Sequence, residues 1–352
     1  MKGLVANITF ERIQSEVRFH NPLRDFAEDL HPLEIRKDPL LGDVSIHNPY
    51  LKDKAKAFFG ECDQGLVKQL VEESGKNCFF CGERVEQATP KFTSDFIAEG
   101  RLRVGEAVLF PNLFSLGTYH PVVCLCKAHF LRLSEFHPGV LADGLTVAQE
   151  FLKIVYHRDP SAAFAVVTAN YLFPAGASLV HPHLQMLITP VPYSYHGRLI
   201  EAGNSYFREH GSSYFTDLID QEREGPRHVA RRGRWNWLAS FSPLGNNEVM
   251  AIHDSVPDYG LLSEMDVKDL AHGISRVLSF YETLGHLSFN YAAYSVKNHL
   301  AGEGLRCIFK IITRQNLYPN YRNDDYFLQK LLQSELIITP PEELAVALKG
   351  HF

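Results

Sequence analysis

The sequence predicts an α+β protein built from a duplicated domain. Three observations carry this expectation. Short runs of the chain alternate apolar and polar residues, or are apolar throughout, in the manner of strands. Two long stretches, residues 143–160 and 265–285, space their apolar residues as helices do. The order of these elements in the middle of the chain then recurs nearer its C-terminal end.

The chain has 352 residues, of which 45% are hydrophobic and 22% charged. That composition suits a soluble globular protein and is long for one core, so two domains are expected, over residues 1–190 and 191–352. A formal net charge of −6 argues against a general nucleic-acid binder, which carries a basic excess. No run approaches the roughly 18 apolar residues of a membrane span. The opening "MKGLVANITFERIQ" lacks the apolar core of a signal peptide. Two of the six cysteines stand as Cys78-Phe79-Phe80-Cys81, a spacing that favours metal or redox chemistry over a disulfide framework. A cytoplasmic protein is the expectation.

Taken in order, residues 1–75 read as irregular, with turns at "HNPL", "KDPLLGD" and "HNPY". "EAVLFP" reads as a strand, "SLGTYH" as a turn and "PVVCLC" as a second strand. Ala148, Phe151, Leu152 and Val155 then share one helical face, with Asp143 as the expected N-cap. "AFAVVTA" (163–169) is a strand, 170–180 a loop, and 183–189 a further strand. The second pass runs through "WNWLASFSPLGNNEVMAIH", the helix "MDVKDLAHGISRVLSFYETLG", "LSFNYAAYS" and "CIFKIIT". Aligning Ala175-Gly176 with Ala301-Gly302 sets His181 against Cys307, His183 against Phe309 and Gln185 against Ile311. The first half keeps a polar constellation that the second has filled with apolar residues, so the chemistry is expected in the first half.

That constellation lies in "GASLVHPHLQM" (176–186). In an extended chain alternate side chains share a face, so His181, His183 and Gln185 point one way and Leu184, Met186 and Ile188 the other. Cys78 and Cys81 supply two ligands of a tetrahedral zinc site, and His129 and His181 would complete it. Spacing alone leaves open the alternative of buried thiols and a surface histidine. Cys124 and Cys126 alternate with core residues and read as core. His183 is then free to act as a nucleophile, since a neutral imidazole is available near physiological pH. The small residues Ala175, Gly176 and Ala177 suggest a backbone nest for phosphate, joined by Ser178, Asn170 and Gln185 as uncharged donors. A pair of satisfied, partly buried histidines is the plain alternative.

The stretch Asn170 to Gln185, "NYLFPAGASLVHPHLQ", resembles the active-site segment of the galactose-1-phosphate uridylyltransferase family, in the histidine-triad superfamily. "CFFC", Thr89-Pro90 and "LFPNLFSLGTYHPVVCLCKAH" resemble its zinc dicysteine and zinc-histidine strand. "DYFLQKLLQSELIITPPEEL" resembles its C-terminal signature. The resemblance spans most of residues 75–345. It implies two histidine-triad-like domains sharing an extended antiparallel sheet, a homodimer, and ping-pong transfer of a nucleoside monophosphate through a nucleotidyl-histidine. By motif, His183 is the nucleophile and Cys78, Cys81, His129 and His181 hold one structural Zn2+ per chain. Asn170, Ser178 and Gln185 contact the phosphates, and Gln333 and Tyr326 fall on substrate-binding positions.

Departures shape the expected activity. Leu184 replaces a family glycine, as in dinucleoside-polyphosphate phosphorylases, and Phe327 replaces a hexose-binding glutamate. The second metal site's His-x-His is missing from "LRCIFKIIT", so no second metal is expected, and Arg36 is only a loose candidate for the family's N-terminal arginines. The leading expectation is a nucleotidylyltransferase moving UMP or AMP between a nucleotide sugar and a hexose 1-phosphate. The alternative is a phosphorylase that uses inorganic phosphate to split ADP-glucose, another nucleotide sugar or a dinucleoside polyphosphate. A non-catalytic nucleotide-binding module is a third class, against which the intact His-Pro-His and dicysteine argue.

Overall fold

A computed structural model describes residues 8–54 and 59–352 of the chain; residues 1–7, which hold half of the opening read for a leader, lie outside the described residues. The segment expected to be irregular holds three strands: β1 (Glu11–Asn21), β2 (Ala27–Lys37) and β3 (Val44–His47). β1 and β2 form a long hairpin whose turn follows Asn21, with Asp25 and Phe26 both at positive φ. Its outer strand is exposed along almost its whole length, so it shows no buried apolar periodicity. Helix α1 (Gln64–Gly75) follows, capped by the Asp63 carboxylate, which accepts from Leu66 N.

The duplicated part builds one sheet. In chain order it comprises β4 (Leu102–Val104), β5 (Ala107–Pro111), β6 (Pro121–Cys124), β7 (Phe164–Tyr171), β8 (His183–Thr189), β9 (His228–Arg232), β10 (Trp235–Ala239), β11 (Val249–His253), β12 (Phe289–Val296) and β13 (Ile308–Thr313). The spatial order is β4-β5-β6-β8-β7-β12-β13-β11-β10-β9, and every pairing is antiparallel. The order reads the same from either edge: β7 and β12 meet at the centre and each half adds its strands in the same sequence. The expected α+β architecture with an extended antiparallel sheet is therefore present. A last strand, β14 (Ser334–Ile337), pairs in parallel with β3.

Helices α2 (Pro138–Arg158) and α4 (Glu264–Thr283) cover one face of this sheet, separated in sequence by α3 (Ser194–His210). Leu141, Leu145, Phe151 and Leu152 of α2 and Leu270, Ile274 and Leu278 of α4 share a core with Leu184, Met186 and Ile188 of β8. Asp143 does not cap α2: the helix starts at Pro138 with His137 at its N-cap, since proline is pre-set for the first turn. In α4, Ser263 and Asp266 form a capping box.

The repeat register differs from the expected one. Cys307, Phe309 and Ile311 lie in the helix-covered core together with Leu184, Met186 and Ile188. They therefore share a face with those residues, and the pairing of His183 with Phe309 fails by one position. A one-residue slip turns every side chain over. The face that carries His183 and Gln185 on β8 carries Ile308 and Lys310 on β13, so the second half is not wholly apolar there. Lys310 donates to Glu248 at 2.7 Å, with the two side chains 12% and 0% exposed. Burial works against the ammonium, yet Glu248, Tyr195 and Asp38 raise its pKa well above the usual lysine value.

The packing of α4 is tight enough to test. Gly273 lies against the buried Trp237, and a Cβ there would overlap the indole. Gly273→Ala should lower stability by about 1–3 kcal/mol by overpacking, although alanine is the better helix former. Urea unfolding would measure it. Burial also pushes His196 of α3 and His286, just beyond α4, down to about 4. Between the unfolded value near 6.5 and about 4, the unfolded chain takes up protons that the folded chain refuses. Stability is thus complete above that window and falls as pH drops through it; the melting temperature at pH 5 should lie below that at pH 7.

Candidate active site and metal centre

Four side chains from three separate stretches of the chain converge beneath the start of β8. The ligand atoms of Cys78, Cys81, His129 and His181 all lie within 4.8 Å of one another. Cys78 and Cys81 come from a turn closed by Cys81 N donating to Cys78 O. His129 follows β6, and His181 sits two residues before β8.

Hydrogen-bond polarity leaves one ring nitrogen of each histidine available as a ligand. His181 Nε2 lies 2.7 Å from the Cys126 carbonyl, which can only accept, so Nε2 carries the proton. Nδ1 then presents its lone pair to Cys81 Sγ at 3.4 Å and Cys78 Sγ at 3.7 Å. His129 repeats the arrangement. Ser74 Oγ donates to Leu70 O at 2.7 Å, so it accepts from His129 Nε2–H at 2.9 Å. That leaves His129 Nδ1 facing Cys81 Sγ at 3.3 Å. Outer partners that orient ligand imidazoles in this way are typical of metal sites. Burial holds His181 down at about 4, neutral and ready to ligate. Burial and the neighbouring Cys78 push the Cys81 thiol up to about 11, so its thiolate needs a cation beside it. The donor set and its protonation fit a bound metal ion.

His183 is wired the opposite way. Its Nδ1 lies 2.7 Å from the His181 carbonyl and so carries the proton, leaving the Nε2 lone pair free. Burial lowers its pKa, so the ring is neutral at neutral pH. Phe80 stands edge-on to both imidazoles, with ring centroids 5.9 Å from His181 and 5.7 Å from His183.

Gln185, two residues on along the same face, is oriented by residues that sequence alone places only in a turn and a strand. Leu116 N donates to His120 Nδ1 at 2.9 Å, so His120 Nε2–H donates to Gln185 Oε1 at 2.7 Å. Asn112 Nδ2 adds a second donor to the same oxygen at 3.2 Å. The Gln185 amide NH2 is thereby turned away from these partners. Asn170 is treated alike: its Oδ1 accepts from Asn290 Nδ2 at 2.6 Å. Asn112 falls in the Phe-Pro-Asn of the segment "LFPNLFSLGTYHPVVCLCKAH", whereas His120 and Asn290 carry no signature of their own; the orienting role of all three shows only in pairing across strands.

The expected phosphate nest does not form as read. Ala175 N and Ala177 N donate to Leu172 O, and Gly176 N donates to Phe173 O. Those three N–H groups are engaged inside the loop; the side-chain donors of this stretch are Ser178, which is exposed, and the amides of Asn170 and Gln185. Leu172 buries its side chain at φ 66 and ψ 166, a region otherwise reserved for glycine. Such strain costs on the order of 1–3 kcal/mol and persists where surrounding bonds impose it.

The remaining expected positions lie elsewhere. Gln333 is exposed along a cleft of about 190 Å³ with Asp43, Arg198 and Glu335. Tyr326 stacks edge-on with Phe327 and caps a single helical turn. Among the described residues neither bonds to His183, Asn170, Ser178 or Gln185. Arg36 is buried and spent on Glu34 and Glu342, at 2.6 and 2.9 Å, and does not face the site. No helix among the described residues is long and apolar enough to cross a membrane.

No protein-family model matches the chain. An uncharacterized protein of Archaeoglobus fulgidus is 28% identical over 315 residues, covering 89% of this chain and 90% of that one. An ADP-glucose phosphorylase of Arabidopsis thaliana is 27% identical over 208 residues, 53% of this chain and 57% of its own length. Among solved structures, an Arabidopsis thaliana ADP-glucose phosphorylase with bound ADP-glucose superposes with a TM-score of 0.70 at 17% identity, over 90% of this chain and 98% of that one. A uridylyltransferase superposes with a TM-score of 0.64 at 18% identity, over 90% and 97%.

Purified protein should contain about one tightly bound metal ion per chain, as expected of a four-ligand site. Cys81→Ser should lose most of that metal and melt at a lower temperature, because site binding energy is folding energy. Elemental analysis beside calorimetry measures both, and full metal retention in Cys78→Ser/Cys81→Ser would refute the site.

Proposed function

For a chain with the galactose-1-phosphate uridylyltransferase-like fold of the histidine-triad superfamily, we propose nucleotidyl transfer from a nucleotide sugar through a covalent histidine. One observation carries the proposal. His183 is a buried neutral imidazole whose Nδ1 proton is committed to the His181 carbonyl, so Nε2 carries the lone pair, while the Gln185 and Asn170 amides of the same strand and its neighbour have their oxygens already engaged.

In the first step Nε2 attacks the α-phosphorus, and the bond from phosphorus to the bridging oxygen breaks. The electron pair leaves with the sugar 1-phosphate. Positive charge grows on the ring and is relieved by the Nδ1–H···O=C bond to His181. Negative charge on the phosphoryl oxygens meets the Gln185 and Asn170 amides, oriented beforehand, and the Ser178 hydroxyl. In the second step an acceptor oxygen attacks phosphorus, the P–Nε2 bond breaks and the neutral imidazole returns. Cys78, Cys81, His129 and His181 would hold zinc, which supplies structure by fixing the start of β8. In this reading residues 1–190 carry the chemistry, residues 191–352 supply walls and support, and the enzyme works as a cytoplasmic homodimer.

The acceptor separates two readings. A hexose 1-phosphate would make the enzyme a nucleotidylyltransferase; inorganic phosphate would make it a phosphorylase. The relative named as an ADP-glucose phosphorylase, with Leu184 and Phe327, favours phosphate. Incubating the protein with ADP-glucose, UDP-glucose and a dinucleoside polyphosphate, each with phosphate or a hexose 1-phosphate, identifies the pair by its products. A non-catalytic module would turn over none of them.

Intact-mass spectrometry of quenched wild-type protein should find a nucleoside-monophosphate adduct that maps to His183. His183→Ala should abolish the adduct and nearly all turnover while nucleotide sugar still binds. Gln185→Ala should keep the adduct yet slow both half-reactions roughly 10²–10³-fold, the effect of removing one oxyanion donor. Normal turnover in His183→Ala would end the double-displacement mechanism.

A further inference from the structure

The Asn170 amide is held by a chain of bonds that starts in the second half of the molecule. Asp324, in the segment after β13, grips Arg314 through both carboxylate oxygens, with Nε at 2.8 Å and Nη2 at 2.6 Å. Arg314 Nη1 donates to Asn290 Oδ1 at 2.5 Å. Asn290, on β12 opposite Asn170 of β7, donates through Nδ2 to Asn170 Oδ1 at 2.6 Å and to the Ala175 carbonyl at 2.9 Å.

Direction in this chain is forced by chemistry. A guanidinium has five donors and no acceptor, so the Asn290 group facing Arg314 must be its oxygen. The Asn290 NH2 must then face Asn170 and Ala175, and the Asn170 group it meets must be an oxygen. Each amide is fixed by the one before it, and the last NH2 is left for the ligand. The same chain ties the strained loop after Leu172 to β12, through Ala175.

We propose that Asn290 and Arg314 are positioning residues for the nucleotide phosphate: anchored by Asp324, they set the Asn170 amide so that it presents a donor. This rests on the reading of Asn170 as a phosphate contact.

Asn290→Asp isolates the polarity from the packing. The introduced carboxylate matches the amide in shape and still accepts from Arg314, with added charge attraction, but it has no hydrogen to give. Asn170 must then turn its NH2 toward that carboxylate and offer its oxygen to the phosphate. Arg314→Lys is the second variant: an ammonium cannot hold both Asp324 oxygens and Asn290 in one fork.

Calorimetric titration of full-length wild-type protein and both variants with AMP and with UMP, beside their melting temperatures, tests the relay. Whichever nucleotide the wild type binds should bind Asn290→Asp about 10–100-fold more weakly, the span of a lost charge-assisted hydrogen bond. The melting temperature should stay close to the wild-type value, the stronger Arg314 pairing offsetting the lost bond to the Ala175 carbonyl. Arg314→Lys should weaken binding to a smaller degree. Wild-type affinity in Asn290→Asp would overturn the relay and leave the proposed function standing. Affinity and melting temperature falling together in both variants would make these residues scaffold and overturn the relay. A wild-type protein that binds neither nucleotide would overturn the relay together with the nucleotide reading beneath it. If Asn290→Asp fails to fold, wild-type affinity in Arg314→Lys overturns the relay by itself.

Discussion

Two carbonyl oxygens decide what the histidines of this protein can do. The Cys126 carbonyl takes the Nε2 proton of His181, and the His181 carbonyl takes the Nδ1 proton of His183. A carbonyl cannot donate, so each bond assigns a tautomer, and the two assignments are opposite. One ring turns Nδ1 toward a pair of sulfurs; the other keeps its lone pair on Nε2. His181 belongs to both, through its ring on one side and its backbone on the other. Support for the start of β8 and the placing of the His183 lone pair are thus one piece of construction, shared by the two residues that flank Pro182.

The same economy recurs around the Gln185 and Asn170 amides. Neither Gln185 nor Asn170 is oriented by a neighbour in sequence. Gln185 takes its direction from the backbone N–H of Leu116 through His120, and Asn170 takes its direction from a guanidinium through Asn290. The central pairing of β7 with β12 makes the second path possible, because it sets Asn170 directly opposite Asn290. The second half therefore reaches into the site. On its own corresponding face it has replaced the histidine and amide with Ile308 and a buried Lys310–Glu248 pair. Breaking such a pair by removing one partner is costly, since it leaves a buried charge alone.

Much of this is legible in the sequence, and what escapes it does so for physical reasons. The inner strands of the duplicated part announce themselves because one face of each packs on helices; the edge strands β4 and β9 do not. The dicysteine and His-Pro-His are legible because few packing roles call for them. β1 and β2 escape because their exposed faces leave no buried stripe to detect. The register of β13 slips because Ile308, Phe309, Ile311 and Ile312 are apolar on both faces, so alternation cannot say which face meets the helices. His120 and Arg314 escape because an orienting residue is defined by its partner, and that partner lies across the sheet. Composition misleads at Gly176 because it shows which N–H groups exist, not which are already bonded.

The pairing of β14 with β3 has a consequence for how the molecule comes into being. β1–β3 emerge from the ribosome ahead of the long sheet, but the strand that completes their own sheet follows it. Until then Val44 to His47 present an unpaired edge, open to the wrong strand. The long sheet between them is also built from distant pairings, including its central seam, and such topologies fold slowly. The molecule closes like a clasp, and a chain that stops short of Ser334 leaves that clasp undone. A truncation there would therefore be felt far away in sequence, in a sheet whose other three strands had been waiting since the start of synthesis.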